Sequence, residues 1–371
     1  MRLLFGILFG ALLTSMATGP LWGAETPSRT PDSVREARYY QALSKSIVQC
    51  ALCPNRCVLA PGQRGLCTVR ENRGGKLFTL VYGTPCAVNV DPIEKKPFFH
   101  VLPGSSSFSI STAGCNMRCA FCQNWQISQA RPEEVSASWL PPDAVVDNAL
   151  AEGCATIAFT YTEPTVFYEY MLDTARAAAA KGVSCVLHSC GYINEEPLTE
   201  LAPFLTAANI DLKGFSEEFY RKMGQGHLQP VLDTLVTLKR LGVWLEITNL
   251  IIPGANDDPG QIEKMCAWIK EHLGDEVPLH FSAFRPAYKL ERLPQTSRQT
   301  LEKAREIASA VGLKYVYIGN YPGNPGESTY CPRCKKNVLH RIGYRIESTD
   351  IVDGKCRFCG YVIRGIWSLK K

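Results

Sequence analysis

The sequence lacks the two short motifs that most directly indicate nucleotide binding in an α/β protein. No G-x-G-x-x-G follows a predicted strand, and no G-x4-G-K-[ST] occurs among the 371 residues. Neither a dinucleotide-binding turn nor a P-loop is therefore supported. The sequence also lacks a strong excess of either charge, since 40 Lys and Arg stand against 35 Asp and Glu. A net charge of +5 does not by itself imply nucleic acid or an anionic membrane as partner.

Signs of disorder are missing as well. Hydrophobic residues make up 46% of the chain and charged residues 20%, which is normal for a globular enzyme. The length suffices for one large domain or two ordinary ones with a real core.

Cysteine, by contrast, is abundant. Most of the sixteen cysteines occur in C-x2-C or C-x3-C steps, a spacing that suits metal ions better than disulfides. A secreted disulfide scaffold would usually be much shorter than this chain. Because thiolate ligands must be protected from oxidation, a cytoplasmic-type reducing environment is predicted.

The first residues, by contrast, have the pattern of a segment for export or membrane anchoring. No charge occurs from Leu3 to Ala24, and this apolar stretch follows the single Arg2. Residues 1–24 are therefore predicted to be a signal-like or anchor segment, with a mis-assigned start as the alternative. A twin arginine is absent, and the bulky Trp22 makes a poor cleavage site. A membrane-tethered or exported form stays open, with membrane contact only through residues 1–24.

Strand and helix patterns alternate between about 105 and 320. Apolar runs such as "ATIAFTYTEP" and "VWLEITNLIIPG" are separated by helical stretches such as "TLEKAREIASAVG". This rhythm predicts an α/β fold with a parallel sheet, either a full or partial TIM-type (β/α) barrel or, as the alternative, a doubly wound open sheet. Residues 25–104 are interpreted as a Cys-rich N-terminal region, 105–320 as the barrel, and 330–371 as a separate small module.

Polar residues follow each of the predicted strands. Barrel enzymes carry their chemistry at the C-terminal ends of the strands, so these segments are expected to face one mouth. The segments are Gly114–Cys122, Thr160–Glu163, His188–Gly191, Asp211–Lys213, Thr248–Asn249, Arg285 and Asn320. Four residues before the first strand could also reach this mouth: Glu94, Lys95, Lys96 and His100. His280, which begins a strand, is interpreted as structural.

The stretch "GCNMRCAFCQNW" places Cys115, Cys119 and Cys122 within eight residues. A [4Fe–4S] cluster has four irons, and three thiolates leave the fourth iron open to a small molecule. The alternatives are a zinc site completed by a distant ligand and half of a ferredoxin-type site. Ferredoxins use C-x2-C-x2-C, which differs from the spacing here.

This C-x3-C-x-aromatic-C pattern at the end of a first barrel strand resembles the radical S-adenosylmethionine (radical SAM) superfamily over residues 105–320. The resemblance implies that Cys115, Cys119 and Cys122 are catalytic ligands of a [4Fe–4S] cluster. SAM would chelate the open iron and be cleaved reductively to a 5′-deoxyadenosyl radical, which abstracts hydrogen from a substrate.

The resemblance also implies residues that contact SAM. Phe121 would border the adenine, and His188 would contact the ribose. In the branch that contains pyruvate formate-lyase activating enzymes, a Gly-Gly-Glu segment contacts the SAM amino group, and Glu163 matches its carboxylate. The "DLK" segment makes Asp211 and Lys213 candidates for the ribose or the carboxylate of SAM.

Longer segments resemble one group within the superfamily, the radical SAM enzymes of the AmmeMemoRadiSam system. They include "DPIEKKPFFHVLPG", "IIPGANDD", "PLHFSAFRPAYK" and the terminal "CPRC…CRFCG…GIW". This resemblance implies AMMECR1-like and MEMO-like proteins as partners, and an electron donor such as flavodoxin or ferredoxin. The alternatives are a glycyl-radical-enzyme activase and a zinc-ribbon module that binds nucleic acid or protein beside a vestigial barrel.

Two further cysteine groups flank the barrel. Cys331, Cys334, Cys356 and Cys359 form two knuckles, and this pattern predicts a zinc ribbon. From 330 to 371, ten Lys or Arg face three Asp or Glu, yet a solvated basic face explains this better than nucleic acid does.

The second group is N-terminal: Cys50, Cys53, Cys57 and Cys67. They predict either structural zinc or a second iron–sulfur cluster that relays electrons. Cys86 is a possible substitute ligand. Cys154, Cys185 and Cys266 are interpreted as small buried residues, and so is Cys190, although it stands at a strand end.

Overall fold

The computed structural model describes residues 31–368, so the predicted signal-like or anchor segment lies outside the described residues. The first part of the chain forms two small antiparallel sheets, with the orders β1-β6-β5 and β2-β3-β4. Their strands are β1 (Arg35–Glu36), β2 (Tyr40–Ala42), β3 (Val48–Cys50), β4 (Val58–Leu59), β5 (Arg70–Arg73) and β6 (Lys76–Thr79).

An eight-stranded sheet forms the centre of the molecule. Its strands are β7 (Ala87–Pro92), β8 (Ser106–Ser111), β9 (Thr156–Phe159), β10 (Ser184–Ser189), β11 (Ala207–Asp211), β12 (Trp244–Ile251), β13 (Leu279–Ala283) and β14 (Val316–Gly319). Strand β7 pairs with β8 in antiparallel fashion, and all later neighbours are parallel.

Strand order in this sheet follows chain order without a reversal. A doubly wound sheet reverses its order at a switch point, so that alternative is wrong. The α/β fold with a parallel sheet is confirmed. Within residues 31–368 no ladder joins β7 to β14, and the sheet is open.

Helices connect the parallel strands. They are α1 (Trp125–Ser128), α2 (Pro142–Ala151), α3 (Tyr168–Ala180), α4 (Glu195–Leu201), α5 (Glu217–Phe219), α6 (Leu228–Arg240), α7 (Pro259–Leu273) and α8 (Arg298–Val311). A π-helical turn, Tyr220–Gly224, continues α5. Several helices begin at a side chain that accepts a backbone N–H, such as Asp258 before α7 and Ser297 before α8.

The two faces of the sheet differ in character. Alternate residues such as Ile157 and Leu187 belong to the main apolar core, together with the buried helix faces. Their neighbours on the other face include His188, Asn209 and Glu246, which stand side by side on adjacent strands. Because successive side chains of a strand point to opposite faces, the sheet has an apolar outer face and a largely polar inner one.

The segment 93–102 closes the inner face at the N-terminal ends of the strands. Its apolar residues Ile93, Phe98, Val101 and Leu102 pack against small side chains of β9 to β11, such as Ala158. Glu246 fixes the segment by accepting the backbone N–H groups of Phe99 and His100 at 3.0 and 2.9 Å. We call residues 93–102 the plug.

The C-terminal part packs beneath the plug. Its strands are β15 (Thr329–Tyr330), β16 (Asn337–Ile342), β17 (Arg345–Thr349), β18 (Ile351–Val352) and β19 (Lys355–Cys356). The buried Arg341 donates to the Phe99 carbonyl at 2.6 Å, and Val101 bridges Ile366. His100 lies 2.6 Å from both the Arg364 carbonyl and the Tyr317 hydroxyl.

Two expectations about the mouth are therefore wrong. Glu94 is buried, does not line the cavity at the strand ends, and accepts the Gly104 N–H at 2.8 Å. His100 is buried between the plug and the C-terminal part. His280 is structural as predicted, because its Nε2 lies 2.7 Å from the buried Glu246 carboxylate. Across residues 31–368, no helix has the length and apolar character needed to cross a membrane.

Candidate active site and metal centres

A cavity of about 410 Å³ lies at the C-terminal ends of the parallel strands. Residues from the three-cysteine loop and from the ends of all the parallel strands line it. Six of the seven predicted segments contribute, including Thr248 and Asn320. Arg285 does not line the cavity and is exposed, because the chain has turned outward two residues beyond the end of β13.

The loop that carries the three cysteines is held by its backbone. Arg118 N–H donates to the Gly224 carbonyl and Ala120 N–H to the Met223 carbonyl, both at 2.8 Å. Both acceptors lie in the π-helical turn, a feature that is frequent at functional sites. The turn thus fixes the loop so that Cys115, Cys119 and Cys122 all face the cavity.

Burial shapes the chemistry of these thiols. Burial raises the pKa of Cys119 to about 11, although the nearby Lys213 opposes the rise. The pKa of Cys115 is raised by burial and by the negative charge of Glu163. Thiols in such surroundings become thiolates only when a strongly electrophilic partner such as a metal replaces the proton.

Glu163 ends the loop after β9 and is fully buried. Its Oε1 accepts from Thr165 N, Thr165 Oγ1 and Ser189 Oγ at 2.7 to 3.0 Å, and its Oε2 accepts only the Cys190 N–H, at 2.8 Å. No Lys, Arg or His among residues 31–368 pairs with it. Buried carboxylates are normally paired with a cation, so Oε2 is placed to receive one from a ligand in the cavity.

A second charged group stands at the end of β11. Lys213 Nζ lies 2.8 Å from one oxygen of Asp211, and His188 Nε2 lies 3.2 Å from the other. Burial alone would raise the pKa of Asp211, but Lys213 and His188 outweigh it and hold this pKa well below its usual range. The charged pair therefore persists at neutral pH, with polar hydrogens directed at the cavity.

Phe121 lies beside this pair. Its ring is buried, with the Lys213 ammonium 5.9 Å from its centroid and the Phe219 ring 6.0 Å away. The structure thus brings together all eight residues predicted to form this centre: Cys115, Cys119, Phe121, Cys122, Glu163, His188, Asp211 and Lys213.

Sequence reasoning missed several lining residues, Ser282 and Tyr344 among them. Ser282 lies two positions after His280 on β13, and this alternation could have revealed it. Lys95 and Lys96 line the cavity, as expected for two of the four residues before the first strand; Lys96 Nζ lies 2.6 Å from Asp91, and burial lowers its pKa to about 8. Tyr344 reaches the cavity from the turn between β16 and β17, more than 200 residues from the cysteine loop, and no local signal indicates it.

The C-terminal cysteines form a compact group. The sulfurs of Cys331, Cys334, Cys356 and Cys359 all lie within 4.8 Å of one another. The Cys331–Cys359 and Cys334–Cys356 separations are 3.6 and 3.7 Å. A tetrahedral ion with metal–sulfur bonds of about 2.3 Å places its sulfurs about 3.8 Å apart. The group is therefore suited to a single metal ion.

The N-terminal cysteines line a small cavity of their own. Cys50, Cys53, Cys57 and Cys67 all contribute to it, whereas Cys86 does not. The interpretation of Cys154, Cys185 and Cys266 as buried residues is confirmed. Cys190 is buried as well, but it also lines the larger cavity.

Comparison with known proteins gives a consistent family. The family model described as the radical SAM superfamily matches residues 109–269. An uncharacterized protein of Methanocaldococcus jannaschii, MJ0808, is 44% identical over 329 residues, which cover 88% of this chain and 98% of that protein.

Two further similarities are more distant. The pyruvate formate-lyase-activating enzyme of Listeria monocytogenes is 24% identical over 175 residues, which cover 44% of this chain and 69% of that enzyme. Among solved structures, a radical SAM methyltransferase from Sphaerobacter thermophilus aligns with a TM-score of 0.47 and 15% identity, over 61% of this chain and 70% of that one.

Proposed function

The chain belongs to the radical SAM superfamily of iron–sulfur enzymes, and we propose that the cavity at the strand ends is where it cleaves SAM reductively. Cys115, Cys119 and Cys122 would hold a [4Fe–4S] cluster, and the sheet would be the partial (β/α) barrel typical of the superfamily. When bound, the cluster and SAM would supply a 5′-deoxyadenosyl radical that abstracts hydrogen from a substrate.

One observation carries this proposal: three free thiols and one unpaired buried carboxylate share a single cavity. The thiols fit a cluster with one open iron. The carboxylate of Glu163 fits the ammonium of an amino acid, because a cation there would remove the cost of an isolated buried charge.

The other residues have roles that follow from their contacts. Lys213 is a donor for the SAM carboxylate, held in place by Asp211 at 2.8 Å. His188 and Asp211 offer polar atoms to ribose hydroxyls, and the ring of Phe121 offers an apolar edge to adenine. Lys96 and Tyr344 also line the cavity, and they would be candidates to contact the substrate.

The direct test is anaerobic reconstitution of the full chain with iron and sulfide. Dithionite and SAM should then give 5′-deoxyadenosine and methionine, detected by chromatography. Protein that binds zinc and no labile iron, or reconstituted protein that leaves SAM intact, would overturn the proposal. The first of these results is what a zinc-ribbon protein with a vestigial barrel predicts.

Substitution of Lys213 by Met is expected to weaken SAM binding tenfold to a hundredfold, about 1.5–3 kcal/mol for the loss of a charge-assisted contact. The dissociation constant can be measured by calorimetry or by the change that SAM causes in the electron paramagnetic resonance (EPR) signal of the reduced cluster. Lys239, at the exposed end of α6, provides the matched control. Equal affinities of Lys213→Met and Lys239→Met would contradict the assigned role.

A glycyl-radical-enzyme activase is the second candidate, favoured by the similarity to a pyruvate formate-lyase-activating enzyme. Its substrate would be a protein backbone. Incubation of the reconstituted enzyme with a co-expressed candidate partner should then yield a glycyl radical by EPR. We also propose AMMECR1-like and MEMO-like proteins as partners, and flavodoxin or ferredoxin as the electron donor.

We also propose three regions for the chain: the Cys-rich N-terminal region at 25–104, the barrel at 105–320 and a zinc ribbon at 330–371. Replacement of Cys334 by Ser should lower zinc from about one ion per chain to background, because three thiolates hold it far less tightly than four. Plasma mass spectrometry measures the zinc content. The control variant Cys154→Ser should keep the zinc ion, because Cys154 is buried and belongs to none of the three metal-binding cysteine groups. Anaerobically purified protein that contains iron but no zinc would contradict the assignment.

A further inference from the structure

The four N-terminal cysteines surround one nearly apolar cavity between the small sheets and the central sheet. Cys50 ends β3, Cys53 and Cys57 lie in the turn before β4, and Cys67 precedes β5. Cys50 N–H donates to the Cys57 carbonyl at 2.9 Å, which holds the turn closed. A Cβ built on Gly65 would lie 3.6 Å from Cys57 Sγ and 3.7 Å from Cys67 Sγ, so these two thiols face the same point.

The spacing of these sulfurs distinguishes the two kinds of metal centre. Over residues 31–368, the C-terminal group is the only set of three or more Cys, His, Asp or Glu donors that lie within 4.8 Å of one another. No three of the N-terminal sulfurs are therefore that close. A mononuclear tetrahedral ion needs about 3.8 Å, whereas a [4Fe–4S] cluster bonds each thiolate to a different iron and holds the sulfurs farther apart. Cys115, Cys119 and Cys122 likewise do not all lie within 4.8 Å of one another.

We propose that Cys50, Cys53, Cys57 and Cys67 bind a second [4Fe–4S] cluster, fully ligated by thiolates, that passes electrons to the SAM-binding cluster. A cluster with four thiolate ligands has no open iron, so SAM cannot bind it. Electron transfer is the chemistry that remains to it.

A buried cation accompanies this site. Arg70 is only 2% exposed, and its Nη1 lies 3.8 Å from Cys50 Sγ. One carboxylate oxygen of Glu169 pairs with Nη2, while Arg70 Nε has no hydrogen-bond partner. Four thiolates around an oxidised cluster leave two net negative charges, which are costly to bury without a cation. Arg70, whose charge Glu169 already offsets in part, places an unused N–H donor and a guanidinium beside Cys50.

The two cysteine segments are in direct contact. A Cβ on Gly114, the residue before Cys115, would lie 2.5 Å from the Cys67 carbonyl oxygen. Asn116, the residue after Cys115, lines the N-terminal cavity, and its carbonyl accepts from Asn55 Nδ2 at 2.7 Å. The chain thus provides a short covalent and hydrogen-bonded connection between the two centres.

The redox step balances with a named donor. A low-potential donor, reduced flavodoxin or ferredoxin, transfers one electron to the second cluster and lowers the net charge of its iron–sulfur core from 2+ to 1+. The same electron then moves to the first cluster, and the second returns to its oxidised state. No bond forms or breaks at the second cluster. The electron relay rests on the proposed function. The assignment of a [4Fe–4S] cluster to the four N-terminal cysteines does not depend on it.

The metal is tested on the full chain after anaerobic reconstitution. Wild-type protein should contain about eight irons per chain, four for each cluster. The variant with Cys115, Cys119 and Cys122 all changed to Ala should keep about four, with an EPR signal in the reduced state that SAM does not alter. Loss of nearly all iron from this variant, together with a second zinc per chain, would overturn the second cluster. Mössbauer spectra of the wild type give the same answer without substitution.

The relay has a separate readout. Substitution of Cys53 and Cys57 by Ala should slow the reduction of the first cluster by photoreduced flavodoxin at least tenfold, as followed by rapid-freeze EPR. The matched control, Cys266→Ala, should reduce at the wild-type rate, because this buried thiol lies in α7. Equal rates in both variants would overturn the relay. If the wild-type protein does not cleave SAM but the triple variant retains four irons, the proposed function fails while the second cluster stands.

Discussion

Replacement of Cys119 by Ala is expected to reduce 5′-deoxyadenosine formation to the protein-free background. Cys119 is 8% exposed and stands between Cys115 and Cys122 in a loop that the π-helical turn fixes. With only two thiolates, the loop cannot hold three irons and leave a defined fourth one for SAM. The yield of 5′-deoxyadenosine with dithionite and SAM measures the effect, and the iron content should fall by about four per chain, the share of this cluster.

The control for this substitution is Cys266→Ala. It removes the same sulfur from a residue that is fully buried but lies in the helical core, away from the cavity. A small loss of stability, about 1 kcal/mol, and an unchanged yield are expected. A normal yield from Cys119→Ala would show that this loop does not hold the reactive cluster.

Much of this centre could be predicted because parallel strands end at one edge of a sheet. Thr160, His188 and Asp211 follow three apolar runs that are easy to recognise, and the strand ladder then brings them together. The spacing of the three cysteines is local and needed no tertiary information. Such contacts depend only on the period of the strands and on their direction.

Other parts depend on contacts between distant segments. Strand β7 was not predicted, because it is an edge strand whose Val88 and Val90 remain 41% and 45% exposed. Arg285 was placed at the mouth, yet the chain leaves the sheet at Phe284, whose N–H donates to Thr296. Tyr344 reaches the cavity only because the C-terminal part packs beside the open edge of the sheet.

The sequence alone also does not identify the metal that each flanking cysteine group would bind. The sequence gives four thiols at both places, and four thiols suit zinc and iron–sulfur clusters alike. The distance between sulfurs depends on the surrounding backbone, which the sequence does not show. The C-terminal knuckles bring Cys334 and Cys356 to 3.7 Å, whereas no three of the N-terminal sulfurs lie within 4.8 Å of one another.

The other large effect concerns stability: Glu246→Leu is expected to lower the free energy of unfolding by about 3–5 kcal/mol. Glu246 is fully buried, and its carboxylate accepts from the N–H groups of Phe99 and His100 and from Trp244 Nε1. Its removal leaves these donors unsatisfied and leaves the buried Arg341 with less negative charge nearby. Urea unfolding followed by tryptophan fluorescence measures the change.

The exposed Glu263 in α7 provides the matched control, since Glu263→Leu removes the same charge and inserts the same side chain at the surface. This change should alter stability by less than about 0.5 kcal/mol. Glu246→Gln should fall between the two, because the amide keeps one oxygen for the plug but loses the charge. A change within about 1 kcal/mol for Glu246→Leu would mean that apolar packing of Ile93 and Phe98 holds the plug without its carboxylate anchor.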